Sequence, residues 1–132
     1  MDQNFITVNE VGPRDGLQNI SKIIDPEGRI ELINSYKKCG ITSVEIGSFV
    51  SPKVVPAMSG TELVINGLNI NECDYSVLIP NLIGFDLARQ NEVKIVCMVL
   101  CMTESFNVKN INKSIGESKE EYKDIIKKSK ED

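Results

Sequence analysis

An arginine and an aspartate stand side by side near the start of the chain, in the stretch NEVGPRDGLQN. Arg14 and Asp15 follow an apolar segment and are flanked by glycines and a proline, which favour turns. An aspartate carboxylate is a hard oxygen ligand suited to Mg²⁺ or Mn²⁺, and an adjacent guanidinium can stabilise an enolate-like oxyanion. The alternative interpretation is an ordinary surface turn. The pair therefore indicates either cation-assisted chemistry on a carbonyl compound or no chemistry at all.

Two glutamates lie within apolar segments close to this pair in the predicted fold. Glu45 alternates with apolar residues in TSVEIGSF, and Glu10 ends the segment FITVNE. An ionised glutamate is rarely buried without a partner, so we expect Glu45 at the mouth of its strand or in an ion pair. Glu10 follows the same pattern, and we expect it to pair with Arg14 and orient it.

Hydrophobic patterning predicts the elements that must position these side chains. We expect alternating strands and helices over the whole chain, as one domain spanning 1–132. The predicted strands cover 5–11, 42–49, 74–80 and 93–100, and the predicted helices cover 25–40, 61–68, 82–90 and 114–132. This order implies parallel strands joined by helical crossovers. The unbroken apolarity of the fourth strand is typical of a strand covered on both faces.

Local signals mark the ends of several predicted helices. Asp25 is a good N-cap and Gly40 stands where a helix C-cap belongs. Thr61 is expected to cap the second helix, and Ser114 with Glu117 forms a capping box before the last one. The helix boundaries are therefore defined by side chains as well as by periodicity.

Two α/β architectures fit four such units. One is a small doubly wound sheet, and the other is the first four of the eight units of a TIM-type barrel, which takes about 250 residues. In both, chemistry gathers at the carboxyl ends of the strands. The polar residues expected there are Glu10, Arg14, Asp15 and Gln18 after the first strand, and Glu45 and Ser48 at the end of the second.

Composition narrows the possible functions. The chain has 132 residues, 41% hydrophobic and 26% charged, with a net charge of −4. An acidic balance argues against non-specific nucleic-acid binding, which rests on a basic surface. No apolar run approaches the roughly 20 residues that span a bilayer, so we expect a cytoplasmic protein without a membrane partner. There is no histidine, which removes the commonest general base. The four cysteines are expected to be buried, reduced thiols.

Four segments together resemble hydroxymethylglutaryl-CoA lyases, a group of metal-dependent aldolase and lyase barrels. They are VGPRDGLQN, VEIGSFVSPKVVPAM, PNLIGF and NINKSIGES, and the resemblance runs from about residue 5 to the end. It implies a (βα)₈ barrel that cleaves 3-hydroxy-3-methylglutaryl-CoA to acetyl-CoA and acetoacetate. The RDGLQN form is more similar to the lyases than to the related synthases.

The resemblance also implies roles for individual residues. Asp15 corresponds to the metal ligand for Mg²⁺ or Mn²⁺, and Arg14 to the catalytic arginine that neutralises the enolate of departing acetyl-CoA. Glu45 corresponds to a catalytic acidic residue near the metal and its water. Gln18 and Ser48 correspond to substrate-binding polar residues, and Glu10 would be the partner of Arg14.

The chain also departs from this family. The remaining metal ligands there are a His-x-His pair and an asparagine on later strands, which this sequence does not contain, so the cation site is expected to be incomplete. We therefore expect half a lyase barrel with little activity alone, which acts on an acyl-CoA once a C-terminal half is supplied. The alternatives are a non-catalytic βα module that self-associates through its open strand edges, and a related acyl-CoA lyase or synthase.

Overall fold

A four-stranded parallel sheet forms the centre of the structure, a computed structural model that describes residues 6–131. Neighbouring strands in the sheet are also neighbours in sequence, in the order β1-β2-β3-β4. A doubly wound sheet would reverse its strand order at a switch point, whereas a barrel adds each strand beside the previous one. The fold is therefore a partial βα barrel. The strands are β1 (Asn9–Glu10), β2 (Ser43–Ser48), β3 (Asp74–Leu78) and β4 (Ile95–Cys97).

At least one helix follows each strand. After β1, a single wide helical turn at Gly12–Gly16 comes before the first α-helix. A one-turn 3₁₀ segment at Pro56–Met58 precedes α2. Within the described residues, none of the helices combines the length and apolar character needed to cross a bilayer. The helices are α1 (Pro26–Lys38), α2 (Thr61–Asn66), α3 (Leu82–Gln90), α4 (Glu104–Ile111) and α5 (Ile115–Lys128).

The predicted caps are present on the first and last helices. The Asp25 carboxylate accepts a hydrogen bond from the Gly28 amide at 2.8 Å, which satisfies a donor at the start of α1. Gly40 lies just past the end of that helix with φ of 87°, a conformation that favours glycine. Ser114 and Glu117 make the predicted capping box at the start of α5.

The predicted N-cap of α2, Thr61, was wrong. Gly60, with φ of 71°, precedes the helix, and Thr61 is its first helical residue. The Thr61 hydroxyl donates to the carbonyl oxygens of Met58 and Ser48 instead of capping the helix. The hydroxyl is therefore a link between helix and sheet.

The edges of the sheet also differ from the prediction. β1 is shorter than the segment 5–11, of which residue 5 lies outside the described residues. The prediction that the fourth strand is covered on both faces was wrong, because Ile95 and Val99 are 41% and 43% exposed. β4 is the last strand of this sheet, so its apolar side chains lack a neighbour on one side.

The cysteines are free, as predicted, but not all are buried. Cys101 is buried, while Cys73 and Cys97 are half-buried. Cys39 is exposed, so its predicted burial was wrong. It caps the carboxyl end of α1, directly after Lys38.

The core lies between the sheet and the helices. The apolar side chains of β2 and β3 that face the helices are at most 7% exposed, and they meet the apolar faces of α1, α2, α3 and α5. This layer holds β2 in place from behind. Its most buried members include Ile33, Val44, Ile46, Val64, Val77, Ile79 and Ile125.

A fully buried arginine ties α1 to this layer. Arg29 is 0% exposed and donates to the Ser59 carbonyl at 2.9 Å, the Thr61 hydroxyl at 3.1 Å and the Ile46 carbonyl at 3.4 Å. Burial lowers the pKa of Arg29, and the negative charge of Glu62 opposes that effect. The guanidinium therefore holds the end of β2 and the start of α2 together.

Gly47 leaves room for this arginine network. A Cβ at position 47 would lie 2.7 Å from the Thr61 hydroxyl and 2.8 Å from Nη2 of Arg29. We expect Gly47→Ala to lower the free energy of unfolding by about 1–3 kcal/mol through overpacking. Urea denaturation would measure this loss. The matched control is Gly16→Ala, because nothing lies within 4 Å of a Cβ there. Equal stability of the two variants would contradict the expectation.

Candidate active site

The turn at Gly12–Gly16 follows β1 and carries the Arg14–Asp15 pair. The Val11 carbonyl accepts from the amides of Arg14 at 3.1 Å and Asp15 at 2.7 Å, which closes the turn. At its start, the Gly12 amide donates to Glu10 Oε1 at 2.7 Å. The turn therefore projects two consecutive charged side chains from the carboxyl end of the strand.

The guanidinium of Arg14 lies between two carboxylates. Its Nε donates to Oε1 of Glu45, and its Nη1 donates to Oδ1 of Asp15 at 2.8 Å. The side chains of Arg14 and Glu45 are 15% and 5% exposed, whereas that of Asp15 is 54% exposed. The pairing of Glu45 with a cation explains how a glutamate is accommodated in β2.

The other predicted site residues lie beside this cluster. Gln18 donates from Nε2 to Oδ1 of Asp15 at 3.0 Å. The Ser48 hydroxyl donates to the Leu78 carbonyl at 3.0 Å and accepts from the Val50 amide at 3.2 Å. Ser48 thus holds the chain where β2 ends, and it faces the same cleft as the arginine.

The predicted pairing of Glu10 with Arg14 is wrong. Within residues 6–131, the ion-pair partners of Arg14 are Glu45 and Asp15. Glu10 acts on the turn through the Gly12 amide. Burial raises the pKa of Tyr36 on α1, and the negative charge of Glu10 adds to that rise. Glu10 therefore supports the backbone that carries Arg14 without touching its guanidinium.

A cleft of about 650 Å³ opens at this end of the sheet. Arg14, Asp15, Gln18 and Ser48 all line it, while Glu45 lies beneath the arginine. Its apolar walls come from the segment after β2 and from α4, so both polar and apolar side chains line the cleft. The apolar lining includes Val50, Val54, Val55, Pro56, Val99 and Phe106.

Sequence reasoning missed the contribution of α4. This helix places Phe106 and Asn110 in the cleft, yet no helix was predicted there. Asn107 of α4 is fully buried: it accepts from the Cys101 amide at 3.1 Å and donates to the Ser118 hydroxyl at 2.9 Å. Thr103 before Glu104 was the available start signal. The helix lacks a buried apolar stripe that a hydrophobic pattern could reveal, because its buried residue is the polar Asn107.

The net charge of the cluster formed by Arg14, Glu45 and Asp15 favours binding of a cation. One guanidinium between two carboxylates leaves a net charge of −1 on the cluster, and the exposed carboxylate is that of Asp15. Aspartate oxygen suits Mg²⁺ or Mn²⁺, so Asp15 fits as one ligand. No group of three or more cysteine, aspartate or glutamate side chains placed to hold a metal ion occurs within residues 6–131.

The parallel strands follow one another in sequence order, and a charged cluster lies at their carboxyl ends. This arrangement is typical of βα-barrel enzymes, and the chain forms part of such a barrel. Comparison with known families specifies this class further. The HMGL-like family matches residues 6–132, and the chain belongs to that family.

Individual relatives carry lyase names. The chain is 39% identical over 123 residues to the 3-hydroxy-3-isohexenylglutaryl-CoA/hydroxy-methylglutaryl-CoA lyase of Pseudomonas aeruginosa, covering 92% of this chain and 41% of the relative. It is 38% identical over 127 residues to the cytoplasmic 3-hydroxy-3-methylglutaryl-CoA lyase of Homo sapiens, covering 96% and 34%. The chain thus spans about two fifths or less of the length of these relatives.

Solved structures agree with this assignment. The hydroxymethylglutaryl-CoA lyase of Pseudomonas aeruginosa superposes with a TM-score of 0.88 at 38% identity, over 96% of this chain and 42% of that one. An HMG-CoA lyase from Acinetobacter baumannii, solved with coenzyme A and 3-methylmalate, gives a TM-score of 0.87 at 32% identity, over 92% and 40%. The predicted barrel fold is therefore confirmed.

Proposed function

We propose that this chain forms the first half of a hydroxymethylglutaryl-CoA lyase barrel, which cleaves 3-hydroxy-3-methylglutaryl-CoA to acetyl-CoA and acetoacetate. The observation that carries the proposal is the guanidinium of Arg14 held between Glu45 and Asp15 at the mouth of the sheet. Family membership and the named relatives support it. Because the chain spans only part of those relatives, turnover requires the remaining strands of the barrel.

The chemistry matches the groups at the mouth. A base removes the tertiary hydroxyl proton, the carbon–carbon bond breaks to leave acetoacetate, and the electron pair passes to the thioester as an enolate. Protonation of the enolate carbon then gives acetyl-CoA. Arg14 would stabilise that enolate, because its guanidinium lines the cleft and carries a positive charge. Glu45 keeps the guanidinium in place, and Gln18 and Ser48, which line the same cleft, would contact the substrate.

A divalent cation completes the proposal. Asp15 would supply one oxygen ligand, since its carboxylate is the exposed one of the cluster. When bound, Mg²⁺ or Mn²⁺ supplies positive charge that favours the alkoxide form of the substrate hydroxyl. Arg14 and Gln18 hydrogen-bond to Oδ1 of Asp15 and so orient the carboxylate.

Localisation in the cytoplasm is also part of the proposal. Relatives carry both labels: the human one above is named cytoplasmic, and one from Gallus gallus is named mitochondrial. Family membership therefore does not decide the compartment. Microscopy of the tagged protein would test it.

Complementation tests the lyase proposal. The later half of the Pseudomonas aeruginosa lyase barrel is supplied to this chain as a fusion, with Mg²⁺ or Mn²⁺, and acetoacetate is measured from 3-hydroxy-3-methylglutaryl-CoA. We expect turnover from the fusion and little from the chain alone, because the later strands complete the cation site. A fusion that folds cooperatively and binds the cation but forms no acetoacetate would overturn the proposal. Size-exclusion chromatography of the chain alone shows whether it self-associates instead.

A further inference from the structure

Strand register places one cysteine on the same face of the sheet as the buried glutamate. Glu45 of β2 pairs with Ser76 of β3, and Leu78, two residues further along, pairs with Cys97 of β4. Side chains two apart on a strand share a face, and paired positions share it too. Glu45, Ser76 and Cys97 therefore face the inside of the partial barrel, beneath Arg14.

The thiol and the carboxylate interact on this face. Cys97 lies close to the side chains of Glu45 and Ser76, near enough for both to affect the pKa of its thiol. Burial raises the pKa of the Cys97 thiol, the negative charge of Glu45 adds to that rise, and Arg14 and Ser76 oppose it. A thiol with a raised pKa keeps its proton at neutral pH and is available as a donor.

Glu45 can accept from such a donor. Its carboxylate is 4% exposed, and its Oε1 is occupied by Nε of Arg14. A buried carboxylate is stable only when its remaining lone pairs are also satisfied. The nearby Ser76 hydroxyl is buried and has no hydrogen-bond partner within the described residues, so it is a second polar group on the same face of the sheet.

We propose that Cys97 is a positioning residue of this site: its thiol donates to the Glu45 carboxylate and holds it in the orientation that fixes Arg14. The catalytic consequence rests on the proposed lyase function, whereas the contact between thiol and carboxylate does not. Cys97 acts through Glu45 and does not touch the substrate. Within the described residues, its charged neighbours are Glu45 and Arg14.

Alkylation of the chain itself tests the contact. The rate at which iodoacetamide modifies Cys97 is followed by peptide mass spectrometry between pH 6 and about pH 10, since only the thiolate reacts. We expect the rate at pH 8 to rise about threefold or more in Glu45→Gln, because the charge that disfavours the thiolate is gone. In Arg14→Gln the rate should fall, since a charge that favours the thiolate is removed.

The exposed thiol of Cys39 is the internal control. It lies at the end of α1, and its rate should be the same in all three proteins. Circular dichroism establishes that each variant is folded. If Cys97 reacts at the wild-type rate in folded Glu45→Gln, the proposal is overturned. If Glu45→Gln does not fold, the Arg14→Gln profile decides by its sign, and an unchanged or faster rate there overturns the proposal.

Substitution of the thiol in the fused barrel tests the positioning role. Cys97→Val should lower kcat by about tenfold with KM unchanged, as expected for a residue that orients a catalytic group. Cys97→Ser keeps a donor and should restore most of the loss. Wild-type kcat in Cys97→Val would overturn the role. If the fused wild-type barrel has no turnover while the alkylation shift is present, the lyase proposal fails and the thiol–carboxylate contact stands.

Discussion

Arg14→Gln in a complete barrel built with this chain is expected to lower kcat by about 10³-fold. Glutamine can still donate one hydrogen bond to Glu45, but it carries no charge to stabilise an enolate. The guanidinium uses Nε and Nη1 on two different carboxylates, so the same change also releases Asp15 from its orientation. Steady-state formation of acetoacetate measures the effect.

Two further variants separate charge from geometry. Arg14→Lys keeps the charge but cannot contact both carboxylates through a planar fork, so we expect its kcat to lie between those of wild type and Arg14→Gln. Arg89→Gln makes the same chemical change on α3, at an exposed residue stacked near Phe85, and should leave kcat unchanged. A loss of less than tenfold in Arg14→Gln would remove this residue from the mechanism.

The second large effect is on stability, and it concerns Arg29. Arg29→Met should lower the free energy of unfolding by about 3 kcal/mol, because buried acceptors that lose their donor cost about 1–3 kcal/mol each. The acceptors are the carbonyl oxygens of Ser59 and Ile46 and the hydroxyl of Thr61. Methionine recovers part of the loss by filling the space without burying a charge.

Urea denaturation of the chain measures this change. Lys38→Met is the control, since Lys38 ends the same helix in an exposed position, and its effect should stay within about 0.5 kcal/mol. Arg29→Lys should fall between the two, because one ammonium replaces three directed donations only in part. If Arg29→Met is no less stable than the control, the buried network contributes nothing to the fold.

Much of the fold could be predicted from local patterns. The capping signals at Asp25 and Ser114, and the apolar periods between them, correctly predicted α1 and α5 and their order around the strands. The choice between a doubly wound sheet and a barrel could not be made from periodicity, because both use the same units. Strand order decides it, and strand order is a property of the folded chain.

The placement of the charged residues could be predicted where position on a strand was sufficient. Arg14, Asp15 and Glu45 were expected at neighbouring strand ends, and the structure brings them together. The predicted partner of Glu10 was wrong, because its choice between the Arg14 guanidinium and a backbone amide depends on the conformation of the turn after β1. The thiol beneath Glu45 comes from the fourth strand and depends on register, which composition does not reveal.

The sequential order of the strands has a consequence for synthesis of the protein. Asn9 pairs with Ser43, Val44 with Tyr75, and Ser76 with Ile95, so each pairing joins segments that leave the ribosome one after the other. Contacts between segments close in sequence form quickly. Each strand can therefore add to the growing edge as it emerges, and the Arg14–Glu45 cluster can assemble once β2 has been made, well before translation reaches β4.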